Sequence, residues 1–307
     1  MSVLAPPSAV QTVSVRPVLL PAAERGEDIQ VRVTAPATGE GLPVIVLAHG
    51  FGGSMTGYDP LVDHWTAHGF VVVQPTFLDS ATLAIAPEDP RYTEIWRIRV
   101  DDLVRVIDDL PTVLGAVPGL ADRADTERLA VAGHSWGGQS VGMLLGARVL
   151  GADGQPGEDR TDPRVKAGVL LATTGLGGDD LSPFARQAFP FMSPDFDRLA
   201  TPALVVAGDN DRSPLSTRGP DWFTDVYFRS PGARALLTLF GAEHSLGGIH
   251  AYRSADTTDE RPETVALVAQ ASTAFLQREL GVDAAAWDRE VSALAGEATP
   301  AGRIDVR

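Results

Sequence analysis

The residues Gly133-His134-Ser135-Trp136-Gly137-Gly138 directly follow a short apolar run, Leu129–Ala132. They form a Gly-x-Ser-x-Gly pattern, which sets a serine on a sharp turn between a strand and a helix. Side chains two residues either side of the serine would crowd that turn, and glycine relieves the crowding. A serine before a helix can also serve simply as its cap. Here a pure apolar run precedes it and GGQSVGMLLGARVL follows with helical periodicity, which favours a nucleophile. A serine hydroxyl attacks only when a base takes its proton, and the base must be held in one tautomer by a third group. Two later segments offer such groups. Gly208-Asp209-Asn210-Asp211 follows one apolar run, and Gly241-Ala242-Glu243-His244 continues to His250 after another.

Other chemistries find less support. There is no cysteine among the 307 residues, so thiolate nucleophiles, disulfides and cysteine-held metals are excluded. His64 and His68 have a metal-capable spacing, but HWTAH lacks the glutamate of a zinc-hydrolase helix. No glycine-rich dinucleotide or phosphate loop follows a strand, so no cofactor is expected. With 40 acidic residues against 25 basic and a net charge of −15, binding to nucleic acid or an anionic membrane is not expected. No run approaches the ~20 apolar residues of a membrane span. The start, MSVLAPPSAVQTVSV, has neither the basic nor the apolar part of a secretory signal. The expected location is the cytoplasm, although a secreted protein without its signal would read the same.

The candidate groups must be positioned by the elements around them. Strands are expected at 29–35, 42–49, 70–76, 129–134, 165–173, 202–209 and 233–240, several as continuous apolar runs of the kind buried on both faces of a parallel sheet. Helices are expected at Tyr58–His68, Glu94–Leu114, Gly137–Leu150 and Arg261–Glu279. This alternation implies an α/β fold, a doubly wound and mostly parallel sheet flanked by helices. Such sheets bind ligands at the carboxyl ends of their strands, where the serine, both aspartates and both histidines stand.

On these residues the chain resembles the α/β-hydrolase superfamily, over 28–280, with 1–27 and 281–307 as flanking extensions. The order serine, acid, histidine is that of the family. The resemblance selects Asp211, in a G-x-x-D turn, as the acid, and leaves Asp209 to tie down the turn. It likewise selects His244, in a G-x-x-H position, as the base, with His250 on the rim. The loop Ala48-His49-Gly50-Phe51-Gly52-Gly53-Ser54 matches the family's oxyanion loop, so the backbone N–H groups of Phe51 and Trp136 are the implied donors. His49 and His134 are expected to be packed or hydrogen-bonded. GHSWGG, AHGFGG and the segment from Gly241 onward look most like chlorophyllase-like and dienelactone-hydrolase-like esterases.

The implied activity is hydrolysis of a small ester with an apolar acyl or alcohol part, through an acyl-enzyme. Transfer or perhydrolysis with the same residues, a polyester-hydrolase-like activity, and a non-enzymatic ligand-binding module are the alternatives. The stretch between Thr173 and Ala203 is too short for a large cap domain. Phe77, Leu78, Trp96, Trp222 and Phe223 are expected, with Phe51 and Trp136, to line an aromatic cleft.

Overall fold

The run Leu42–Ala48 is buried along its whole length, as a strand covered on both faces must be. A computed structural model describes residues 10–83, 85–86, 88–252 and 257–307. In chain order its strands are β1 (Thr12–Leu20), β2 (Ile29–Pro36), β3 (Leu42–Ala48), β4 (Val71–Thr76), β5 (Ala124–His134), β6 (Arg148–Val149), β7 (Val165–Leu171), β8 (Pro194–Asp195), β9 (Ala203–Gly208), β10 (Ala233–Leu239) and β11 (Gly302–Val306). The helices are α1 (Asp59–Ala67), α2 (Ile95–Asp108), α3 (Leu110–Gly115), α4 (Trp136–Leu144), α5 (Pro183–Ala188), α6 (Asp225–Arg229), α7 (Pro262–Glu279) and α8 (Ala286–Ala295).

Nine strands form one sheet in the order β1-β2-β4-β3-β5-β7-β9-β10-β11. The pairs from β4 through β10 are parallel. β1, β2 and β11 join antiparallel at the two sides. The fold is therefore a mostly parallel sheet flanked by helices, as the alternation of apolar runs implies. β6 and β8 pair apart from the main sheet. Helices cover the sheet: α1 and α8 pack on α7, and α2 packs on α4. Trp65 on α1 donates its indole N–H to Ser272 on α7 at 3.0 Å. Among the described residues no helix is long and apolar enough to cross a membrane.

The elements differ from the sequence expectation in three places, each with a local cause. The helix expected over Glu94–Leu114 ends at Asp108 and restarts as α3, because Pro111 has no N–H to continue the ladder. The helix expected over Gly137–Leu150 ends at Leu144, where Gly146 turns the chain at φ 116°. The segments flanking 28–280 supply β1, α8 and β11, so both ends of the described chain add strands to the sheet.

Between β7 and β9 the chain makes only a 3-10 turn, the short helix α5 and β8. Among the described residues no large cap covers the carboxyl ends of β3, β5, β9 and β10. The four segments of interest therefore open on one exposed edge.

Candidate active site

Ser135 follows β5 at φ 54° and ψ −120°, a conformation that L-residues adopt only under constraint. The constraint is packing. A Cβ on Gly133 would stand 2.2 Å from the Gly137 carbonyl oxygen, and one on Gly137 would stand 2.2 Å from that of Ala48. The turn is thus pressed against itself and against the end of β3. Ser135 N–H also donates to the Leu171 carbonyl at 2.9 Å. These contacts leave the side chain aimed outward at the start of α4.

His244 reaches it from the loop after β10. Its Nε2 lies 3.0 Å from Ser135 Oγ, and its Nδ1 lies 2.8 Å from Asp211 Oδ2. Asp211, in the turn after β9, is fully buried. Burial raises its carboxyl above the ordinary value, against the lowering pull of the hydrogen bond from His244. With Nδ1–H donating to the carboxylate, Nε2 is free to accept the serine proton. A hydroxyl, an imidazole and a carboxylate in this order can generate a nucleophile and return its proton to a leaving group. Asp209 points elsewhere: its Oδ1 accepts the Gly241 N–H at 2.5 Å, tying the two turns together.

The glycine loop after β3 faces the serine. The rings of Phe51 and Trp136 meet edge to face at 5.0 Å, which brings the loop beside the first turn of α4. Trp136 opens that helix, where the first N–H groups have no intrahelical acceptor and the helix dipole is positive.

A buried chain of hydrogen bonds links the loop to the histidine. Gly50 N–H donates to Tyr58 Oη at 2.9 Å, and Tyr58 Oη lies 3.1 Å from His134 Nδ1. His134 Nε2 lies 2.9 Å from the His244 carbonyl oxygen. A carbonyl only accepts, so Nε2 carries the His134 proton and Nδ1 takes that of Tyr58. Burial, followed by the neighbouring His250 and His244, keeps the His134 value well below the ordinary one. Burial also pushes Tyr58 up to about 12. Both groups therefore stay neutral across the working range.

Sequence reasoning missed Tyr58, although it lies between two segments it did select. It also missed the ion pair of Arg99 and Asp79 beneath the glycine loop. Arg99 had a visible sign: it occupies a core-facing position of α2, between Ile95 and Leu103.

The cleft at Ser135 has a volume of about 420 Å³ and is lined by Gly50, Phe51, Tyr58, His134, His244 and His250, among others. It adjoins a second hollow bounded by Phe51, Asn210, Arg212 and His244. Of the aromatics expected to line it, only Phe51 and Trp136 stand beside the serine. Phe77, Leu78, Trp222 and Phe223 are core residues, each no more than 1% exposed.

Their positions explain the correction. Phe77 and Leu78 continue directly from β4 under the glycine loop, with Phe77 packed on His49 at 4.8 Å. Trp222 turns inward to donate its indole N–H to the Leu176 carbonyl at 2.8 Å. Phe223 supports the His244 ring from behind at 5.4 Å. Trp96 lines a separate cavity of about 350 Å³ with Val100, Met143 and Phe191. The aromatic wall beside Trp136 comes instead from Phe189 and Phe191, at 5.3 and 5.2 Å. Phe184 on α5 extends this wall outward and is 64% exposed. A Phe-Pro-Phe run in a loop carries no periodicity that would reveal which way it faces.

The chlorophyllase family model matches residues 9–148. That span holds β1 through β5, the glycine loop and the Ser135 turn, and it stops before Asp211 and His244. No curated protein matches the chain. The family match suggests an ester-hydrolase-like protein, and the sheet order and parallel pairing agree with it. Over residues 9–148 the chain is similar to the chlorophyllases, and its nine-stranded, mostly parallel sheet flanked by helices is consistent with an α/β-hydrolase fold.

Proposed function

We propose that the protein is a serine hydrolase that cleaves carboxylic esters with an apolar acyl or alcohol part through an acyl-enzyme. The observation that carries this reading is the unbroken line of hydrogen bonds from Ser135 Oγ through the His244 ring to Asp211. His244 Nε2 takes the serine proton as Oγ bonds to the ester carbonyl carbon. The carbonyl oxygen becomes an alkoxide facing the N–H groups of Phe51 and Trp136. The alkoxide collapses, the C–O bond to the alcohol breaks, and the His244 imidazolium gives its proton to the departing oxygen. Water then repeats the sequence on the acyl-serine, freeing the acid and restoring Ser135. Asp211 holds the imidazole tautomer and stabilises the imidazolium.

The apolar character of the substrate is supported by Phe51, which lines the cleft and is 53% exposed beside the serine. The test is turnover of a graded series of p-nitrophenyl esters together with labelling by a fluorophosphonate. Wild type should turn over and take one equivalent of label, and Ser135→Ala should do neither while keeping its fold. Undiminished turnover by Ser135→Ala would overturn the reading.

A further inference from the structure

The peptide between Gly50 and Phe51 is held from below. A trans peptide is planar and points its C=O and N–H in opposite directions, so whatever fixes the Gly50 carbonyl also aims the Phe51 N–H. Three donors converge on that carbonyl oxygen: His49 Nδ1 at 2.6 Å, Gly53 N–H at 3.1 Å and Arg99 Nη2 at 3.3 Å. His49 is committed to this role, because its Nε2 accepts the Phe77 N–H at 3.0 Å and its proton must then sit on Nδ1.

Arg99 does more than one donor's work. Nη2 also lies 3.0 Å from the His49 carbonyl, and Nη1 lies 3.4 Å from Ser140 Oγ. Ser140 in turn donates to the Trp136 carbonyl at 2.9 Å. One guanidinium therefore touches both segments that carry the proposed oxyanion donors. Asp79 fixes it through two contacts, Nε to Oδ1 at 2.8 Å and Nη2 to Oδ2 at 3.0 Å. The same carboxylate accepts the Gly52 N–H at 3.2 Å. Phe77 closes the site, with the guanidinium carbon 4.4 Å from its ring centre. Both charged side chains are essentially inaccessible, at 1% and 0% exposure, a costly arrangement for stability alone.

We propose that Arg99 and Asp79 are positioning residues of the oxyanion loop: the buried pair pins the Gly50 carbonyl downward and so keeps the Phe51 N–H aimed at the reacting oxygen. This rests on the serine-hydrolase reading given above. It accounts for a charged pair beneath a loop whose glycines would otherwise let the peptide flip.

The decisive variant is Arg99→Met with Asp79→Leu, which removes the pair without leaving a buried charge unpaired. Its crystal structure should show the Gly50–Phe51 peptide rotated or in two orientations. On a p-nitrophenyl ester kcat should fall about 100-fold with KM little changed, the size of losing one oxyanion donor. The matching thionoester should lose far less, because sulfur accepts hydrogen bonds weakly and draws little from the donors. A folded double variant with the peptide unmoved, or with equal losses on both esters, overturns the proposal.

If the double variant does not fold, Arg99→Lys decides. It should lose about tenfold on the oxoester and less on the thionoester, and an unchanged ratio between the two overturns the proposal. If wild type hydrolyses no ester, the hydrolase reading fails by itself, while the peptide orientation in the variant crystal still decides the role of the pair.

Discussion

His134 Nε2 donates to the main-chain carbonyl of His244 at 2.9 Å, so the residue before the proposed nucleophile holds the residue proposed to deprotonate it. The other ring nitrogen takes the Tyr58 proton, and Tyr58 takes the Gly50 N–H. Serine turn, histidine loop and glycine loop thus share one buried chain of hydrogen bonds. Removal of its middle link should be felt at both ends. Tyr58→Phe is expected to lower kcat for ester hydrolysis about tenfold, the worth of one typical hydrogen bond at the transition state. KM should change little, since the hydroxyl is directed into the network. Steady-state kinetics with a p-nitrophenyl ester checks this, and an unchanged kcat would mean that the loops hold their places without Tyr58.

Core and cleft aromatics should separate cleanly by measurement. Trp222→Ala removes a buried side chain and is expected to cost about 3–5 kcal/mol of stability. Phe51→Ala trims an exposed ring and should alter stability by no more than about 0.5 kcal/mol, while raising KM for esters with apolar acyl groups. Urea unfolding beside steady-state kinetics distinguishes the two, and a KM effect in Trp222→Ala at full stability would return that residue to the cleft.

His64 on α1 gives a pH signature. Burial, with the adjacent His68, lowers its value to about 4, whereas an unfolded histidine titrates near about 6.5. Between these limits the unfolded chain binds a proton that the folded chain refuses. The stability present above pH ~6.5 is therefore lost as the pH falls through this window. His64→Leu removes that loss. Relative to wild type it should gain stability from pH ~6.5 down to ~4, by up to roughly 3 kcal/mol in all. Urea midpoints of both proteins at several pH values test it, and a difference that does not vary with pH would contradict it.

Two glycines of the site should respond differently to alanine. A Cβ on Gly137 meets the Ala48 carbonyl oxygen at 2.2 Å, whereas one on Gly52 meets nothing within 4 Å. Gly137→Ala is expected to cost about 3 kcal/mol or more, since β3 and the serine turn must separate. Gly52→Ala carries only the strain of its φ of 75°, about 1–2 kcal/mol. Chemical denaturation of both variants orders them, and equal losses would show that packing is not what the 137 position demands.

What the sequence reveals follows from how local each constraint is. β3, β7, β9, β10 and the second half of β5 are legible because a strand covered on both faces is mostly apolar, whereas the two-residue strands β6 and β8 are too short to leave a pattern. Ser135 is legible because its turn admits only glycine two residues either side. β1 is harder to read: Pro17 breaks its pattern, and only a side strand with a register shift between Val15 and Val18 accommodates a proline there. The lining of the cleft is not legible at all. Whether a loop aromatic faces in or out depends on partners far along the chain, as Trp222 depends on Leu176 and Trp136 on Phe189. Arg99 lies between these cases, because a charge on the apolar face of α2 is visible but its partner Asp79 is not.

The φ of 54° at Ser135 also bears on how this protein responds to selection. Residues held in such conformations cost of order 1–3 kcal/mol, and glycine relieves most of it. Ser135→Gly should therefore melt at a higher temperature than wild type while losing the proposed nucleophile, a comparison that calorimetry can make directly. A laboratory screen rewarding heat tolerance alone would favour glycine at position 135 and return a sturdier, inert protein. Only a screen that also demands turnover keeps the serine in its place.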